Sequence, residues 1–436
     1  MNGKTSEMDM LHGPLSGKLL LFTLPIALSS MVQQLFNAAD TAVVGYFGSE
    51  GALAAVGTNT EIIALIVTLS SGLSIGANIL IANRIGRNET AELPAAVQTA
   101  MLLAALIGMA GLLLGQAAAA PLLELIQTPN SIFEEVALYL RFYMLGYLFL
   151  LLYDFGAAVL RARGDSRAPF LALMLSGAAN VGLNLFFVVA LHMGVAGVAI
   201  ATDISAALSA LLVLRRFKKD ELFRLTFRKP QFSTKIAGNI LKTGVPSAVQ
   251  GAVFCFANIF VQASVNRFGE TAIAGITIAM IFEYFTYYII TAFSQTATTF
   301  TSQNYAAGQR DRCRRILWLC LGLSTVCSTI PIVTIVLFRD FFSSIFTPEA
   351  PVIESAAVRI LCILLFEPIC NLYEIPAVVL RGSGHALYPT VSTILGTCAF
   401  RIVWICTVFR THPTLPMLYH AFPLSWAATI LLVNLG

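Results

Sequence analysis

An all-α membrane protein, with twelve transmembrane helices in two pseudo-symmetric six-helix bundles, is the fold this 436-residue sequence predicts. Three observations carry that reading. Hydrophobic residues make up 57% of the chain and charged residues 11%, against roughly a quarter charged in ordinary soluble domains. The apolar residues gather into twelve runs close to the roughly 20 residues that cross a bilayer. The chain also repeats itself at a spacing of about 220 residues.

The runs lie near 19–46, 52–82, 94–118, 132–158, 168–190 and 194–214, then 239–266, 272–303, 315–337, 355–380, 386–410 and 418–436. Lys18 opens the first, and no small-residue cleavage site follows a short apolar core, so this helix is expected to be retained. Basic residues distribute unevenly between the connecting segments. Twenty lie on one side, among them Lys18, Arg84, Arg161, Arg215, Arg310 and Arg381, and three on the other, Arg267, Arg339 and Arg410. The positive-inside rule then places both termini in the cytoplasm of a chain that crosses the plasma (inner) membrane many times. The net charge of +4 reflects this topology, and no nucleic-acid partner is expected. All eight cysteines, Cys255 to Cys406, sit in the second half without a C-x-x-C pair, as buried packing residues do.

The repeat is detailed. V-L-R-A-R-G-D-S-R-A-P at 159–169 matches V-L-R-G-S-G-H-A-L-Y-P at 379–389, aligning Leu160, Arg161, Gly164 and Pro169 with Leu380, Arg381, Gly384 and Pro389. Pro25 aligns with Pro246, Asn37 with Asn258, Tyr153 with Tyr373 and Asp154 with Glu374. Six spans is an even number, so both halves insert the same way up and form a parallel repeat about an axis along the membrane normal. The expected division is a lobe at 1–215, a polar cytoplasmic linker at 216–238 and a second lobe at 239–436. Two matched bundles suit alternating access around a central site.

Charged groups in the bilayer core cost several kcal/mol, about 3 each, so those present mark function or a buried pair. Counting about 1.5 Å per residue from the helix ends, Asp40, Asn180 and Asp203 fall in the outer half of the first bundle. Asn37 lies one turn from Asp40 and Asn184 one turn from Asn180, and Thr202 adds a hydroxyl. Carboxylate, amide and hydroxyl oxygens together suit a proton or Na⁺. Asp40 aligns with Val261, so the lone acid assigns ion coupling to the first lobe. Asp203 either joins that site or pairs locally. In the second lobe, Glu283 beside Tyr284 and Tyr287 is a candidate for cationic substrates, with Gln34, Asn258 and Glu61 as further candidate contacts. A satisfied core acid is the other reading of Glu283. Arg401 is expected to pair with Glu367, at its own depth, as a structural ion pair. Pro25 and Pro246 permit bends, either static or conformational. No catalytic or nucleotide-binding motif is present, so no enzyme activity and no cofactor beyond the coupling ion are expected, with no metal beyond Na⁺ at Asp40.

The stretch from Pro25 to Gly57, with Q-Q-L-F-N-A-A-D-T-A-V-V-G at 33–45, resembles the opening of the multidrug and toxic compound extrusion (MATE) transporters. The segments around 160–169 and 380–389 and R-I-V-W-I at 401–405 are similar to later parts of that family. The resemblance covers nearly the whole chain. It implies H⁺- or Na⁺-coupled export of small amphipathic, often cationic, compounds by a monomer. It carries ion coupling to Asp40, with Asn180 and Thr202 as neighbours. Many relatives have Asp where this chain has Asn184, which leaves the ion site leaning on Asp203 or shifts its ion preference. A lipid-linked oligosaccharide flippase of the same superfamily is the alternative.

Overall fold

The computed structural model describes residues 8–47, 50–125, 128–130, 132–218 and 231–435, with backbone alone for 50–55 and 125. Residues 219–230 of the expected linker lie outside the described residues. The first repeat comprises α1 (Leu15–Phe47), α2 (Glu50–Gly86), α3 (Leu93–Leu125), α4 (Phe133–Leu145), α5 (Tyr147–Ala162), α6 (Arg167–Asn184) with a π-helical continuation (Leu185–Ala190), and α7 (Gly194–Lys218). The second has α8 (Thr234–Val265), α9 (Glu270–Ala306), α10 (Arg310–Leu337), a short α11 (Arg339–Ser344), α12 (Ala350–Cys362) and α13 (Asn371–Gly382). It ends with α14 (Leu387–Thr393), a π-helical segment (Ile394–Ala399), α15 (Phe400–Cys406), α16 (Val408–Thr411), α17 (Leu415–Tyr419) and α18 (Ala421–Asn434).

Among the described residues, ten helical segments are long and apolar enough to cross a membrane. The fourth span of each repeat is broken. In the first, α4 and α5 meet at Gly146 with a bend of 43°. In the second, α12 and α13 are separated by a 3-10 turn, Leu364–Cys370, that contains Pro368. Proline removes one backbone donor there, and glycine holds the corresponding place in the first repeat without a side chain to resist close packing. Both breaks fall at the same repeat position, since 146 and 366 differ by 220.

The repeated L-R-x-x-G motif has a local physical meaning. Gly164 and Gly384 sit at φ +98° and +96°, the left-handed conformation that closes a helix. Gly164 N–H donates to Arg161 O and Asp165 N–H to Leu160 O; Gly384 and His385 do the same to Arg381 and Leu380. Asp165 Oδ1 then accepts from Ala168 N–H at 2.9 Å, capping α6.

The chain divides into two compact units: Met1–Asp9 with Leu28–Ala248, and Met10–Ala27 with Val249–Gly436. A cut at the linker would keep α1 and α8 whole. Instead each of these helices changes unit two residues after its proline, Pro25 or Pro246. The sequence explains the exchange. In the first unit, Gly72, Gly76 and Gly244 bring the backbones of α2 and early α8 together; a Cβ on Gly76 would lie 2.1 Å from Ile240 O and one on Gly244 2.6 Å from Leu73 O. In the second, Phe22 packs edge-on against Phe300 at 5.5 Å, and the hydroxyls of Thr23 and Thr296 bond at 2.8 Å. Arg312 Nη1 donates to Gly13 O and Nη2 to the carbonyls of Met10 and His12, tying down the entry to α1.

Candidate functional site

The first unit gathers its polar groups where α1, α6 and α7 meet. Gly177 makes the approach possible: a Cβ there would lie 1.8 Å from the Phe36 ring, so only glycine lets α1 settle on α6 at this level. One turn beyond Phe36 is Asp40, and two turns beyond Gly177 is Asn184. Asn184 Nδ2 donates to Asp40 Oδ1 and to Asn180 Oδ1, the latter at 3.2 Å. Asn180 Nδ2 reaches Thr202 Oγ1 at 3.5 Å, the Thr202 hydroxyl itself donates to Val198 O at 3.0 Å, and Thr202 adds a polar oxygen to the cluster. Asn180 and Asn184 are 5% and 0% exposed. The π-helical turn begins at the residue after Asn184, a feature frequent at functional sites.

Two properties define what this cluster can bind. No lysine or arginine pairs with Asp40 among the described residues, so its partners are amides and hydroxyls. Asn184 Oδ1, moreover, is buried without a hydrogen-bond partner. A buried, unpaired carbonyl oxygen is costly, and the oxygens of Asp40, Asn180, Asn184 and Thr202 are hard donors of the kind that suit Na⁺ or a proton.

Several expected site residues lie outside this hydrogen-bonded cluster. Asn37 is exposed, and only its backbone carbonyl is engaged, by the Thr41 hydroxyl at 3.0 Å. Three residues along a helix is a turn of about 300°, enough to carry Asn37 off the face that meets α6. Asp203 does not bond Asp40: successive helix positions point about 100° apart, and Thr202 takes the inward one. Asp203 instead packs against Gly146 at the break between α4 and α5. A Cβ on Gly146 would lie 2.1 Å from Asp203 Oδ1, so the break and the acid fit each other. Glu61, Gln34 and Asn258 are exposed on α2, α1 and α8. Asp154, near the inner end of α5, accepts from Ser70 at 2.6 Å.

The second unit is organised differently. Glu283 on α9 is held by Arg359 on α12 in a bidentate pair, Nε to Oε1 at 2.7 Å and Nη2 to Oε2 at 2.8 Å. The Arg359 guanidinium also faces the rings of Tyr419 and Phe422 at 5.4 and 5.5 Å. Of the two readings of Glu283, the satisfied core acid is the one the geometry matches; Tyr284 and Tyr287 remain partly exposed beside it. The expected Arg401–Glu367 ion pair is not formed. Glu367 accepts from the Thr286 hydroxyl at 2.7 Å, whereas Arg401 Nε donates to Ser425 Oγ at 3.1 Å and its Cζ stands 4.0 Å from the Phe422 centroid. The 3-10 turn carrying Glu367 aims it at α9, and Phe422 on α18 occupies the face of the guanidinium. Arg359 was overlooked in the sequence; its signal is a lone cation inside the apolar run 355–380.

Two repeats with broken fourth spans, built from long apolar helices, are the architecture of a multi-span membrane protein. The MatE family model matches the chain twice, over residues 25–187 and 246–406, each match starting at one of the two helix prolines. The chain belongs to the multidrug and toxic compound extrusion (MATE) family. It is 25% identical over 424 residues to the probable multidrug resistance protein YoeA of Bacillus subtilis, covering 95% of this chain and 91% of that one. It is 24% identical to the FAD transporter of Shewanella oneidensis, covering 84% of each. Among solved structures, a MOP superfamily transporter from Pyrococcus furiosus superposes with a TM-score of 0.91 at 21% identity, covering 100% of this chain and 97% of that one. An outward-facing MATE family transporter gives 0.90, and MATE structures share the fold of twelve helices in two repeats.

Proposed function

We propose that this protein exports small amphipathic organic compounds across the cell membrane by alternating access, in exchange for H⁺ or Na⁺ bound at Asp40. Both termini face the cytoplasm in this reading, which rests on the bias of basic residues, and the protein acts as a monomer. The observation that carries it is the pairing of Asp40 with a buried, unsatisfied Asn184 Oδ1 and no fixed cation. A permanent arginine would close such a site; a mobile cation can enter and leave. Asn180 and Thr202 complete the oxygen set, and Asp203, one helix position away, adds negative potential without a direct contact. Asn184 replaces a second acid, so the site offers one formal negative charge and binds one monovalent cation.

The relatives described above are named for drug resistance and for FAD transport, so the cargo is set by the charges in the binding region rather than by the family. The test of the transport reading is dye retention in cells expressing the chain. Asp40→Asn, at unchanged membrane level, is expected to reduce export to background; collapsing the proton and sodium gradients in turn identifies the ion. Export unchanged in Asp40→Asn removes the residue from the mechanism.

A further inference from the structure

The second unit buries three arginines and Glu367 within its membrane helices, with Glu283 and Glu374 half-buried, and they are not equally matched. Arg359 is closed by Glu283, which occupies both its Nε and Nη2 edge. Arg381 donates to Gln250 Oε1 at 2.8 Å and feels the charge of Glu374, two turns earlier on the same face of α13. Arg401 has no carboxylate within 4.0 Å among the described residues, although it is only 4% exposed.

What surrounds Arg401 is a half-built oxyanion cradle. Ser425 Oγ accepts from its Nε and donates its own proton to Phe422 O at 2.7 Å, so the serine has nothing further to offer. Phe422 lies against the guanidinium face, 4.0 Å from Cζ to the ring centroid, in a cation–π contact. Burial strips a cation of its hydration, so one ring and one hydroxyl leave it under-compensated. Both Nη atoms make no hydrogen bond among the described residues. Unlike Arg381 Nε, which is enclosed without a partner, neither Nη is fully enclosed. These are the two nitrogens that take an oxyanion in fork geometry. The backbone adds a second, independent sign. The π-helical segment Ile394–Ala399 ends two residues before Arg401, just as the other π-helical turn in the chain begins beside Asn184. Aromatic surface is at hand: Phe400 stacks with Trp404 at 6.1 Å, and Phe422 meets Trp426 edge-on at 6.2 Å.

We propose that Arg401 binds the carboxylate of an amphipathic aromatic cargo, so that the exported compounds include organic anions rather than cations alone. This rests on the transport reading and narrows its substrate class. The same geometry disfavours an ammonium group at Glu283, which sits beside exposed Tyr284 but is already neutralised by Arg359. In the proposed complex the two Nη atoms donate to the two carboxylate oxygens, Ser425 keeps Nε in place, and the aromatic body lies on the Phe422 side. No covalent step is involved.

Isothermal titration calorimetry on the full chain in lipid nanodiscs, blanked against empty nanodiscs, tests this with three probes. These are 1-naphthoate, the charge-reversed 1-naphthylmethylammonium, and inorganic phosphate. The wild-type protein is expected to bind 1-naphthoate saturably and at least about tenfold more tightly than either other probe, the worth of one charge-assisted hydrogen-bond pair. Arg401→Gln is expected to abolish that preference and leave the ammonium probe unchanged; Ser425→Ala, which keeps the charge, is expected to retain the preference with affinity reduced a few-fold. Equal 1-naphthoate binding by wild type and Arg401→Gln overturns the proposal. So does a wild-type preference for the ammonium probe, a comparison that needs no variant to fold. Phosphate binding as tightly as naphthoate overturns the organic cargo. If Asp40→Asn leaves dye export intact while naphthoate still depends on Arg401, the transport reading fails and the anion site stands. If export is Asp40-dependent but naphthoate binding ignores Arg401, only the anion site fails.

Discussion

The two units of this chain descend from one six-helix pattern, yet they hold the acids Asp40 and Glu283 in opposite ways. In the first, Asp40 is surrounded by Asn184, Asn180 and Thr202, with no arginine or lysine paired to it among the described residues. In the second, Glu283 is clasped at both oxygens by Arg359. On the reading proposed above, Asp40 serves coupling through what is withheld from it. A guanidinium fixed at 2.7 Å neutralises a carboxylate in place; amides and a hydroxyl leave its charge open to a mobile cation. At the repeat position of Asp40 the second unit has Val261, which is buried in its apolar core.

Breaking the fixed pair gives the largest expected effect on stability. Arg359→Ala strands Glu283 and should destabilise the protein by about 3–5 kcal/mol, read as a lowered melting temperature in detergent. Replacing both partners with apolar residues, Glu283→Leu with Arg359→Met, should restore most of that loss, because no buried charge is left over. A double variant as unstable as the single one would mean that the pair does more than neutralise itself.

The next effect concerns the frame of the cation site. Gly177→Ala forces a methyl into the Phe36 ring and should cost about 1–3 kcal/mol by overpacking. It should also part Asp40 from Asn184 and lower ion-driven export more than a stability loss of that size accounts for. Gly146→Ala should act similarly through Asp203, whose Oδ1 stands where the methyl would go. A smaller change is expected for Thr202→Val, which removes one hydroxyl from the oxygen set. About 1 kcal/mol, or several-fold in cation affinity, is the scale of one such bond. Asn37→Ala should have the least effect, export within about twofold of wild type by the usual scatter of exposed substitutions, since its side chain is exposed away from the cluster. A loss comparable to Asp40→Asn would place Asn37 in the mechanism after all.

Much of the architecture was legible in the sequence because it follows from solvent and symmetry. Span lengths report the bilayer, and the 220-residue repeat with its L-R-x-x-G helix ends reports duplication. The cluster of Asp40, Asn180, Asn184 and Thr202 was partly legible: one-turn spacings suggested those residues, but together with Asn37 and Asp203, which lie outside the hydrogen-bonded group. What the sequence concealed was pairing across helices. Depth alone suggested Arg401 with Glu367, but rotation about each helix axis decides contacts, and the 3-10 turn at Leu364–Cys370 turns Glu367 towards Thr286. Arg359 went unnoticed because a single cation inside an apolar run looks like noise until its partner is known. The exchange of α1 and α8 between units was hidden for a related reason: the glycines and the Phe22–Phe300 contact that decide it are far apart in the chain.

The central claim is that the cation enters at Asp40 and not at the acids of the second unit. Proteoliposomes carrying the purified protein allow the flux of H⁺ or ²²Na⁺ to be counted against export of the organic compound. Coupled cation flux should vanish in Asp40→Asn and persist in the Glu283→Leu, Arg359→Met double variant. Coupled flux that survives Asp40→Asn, or disappears only when Glu283 is replaced, would contradict the account.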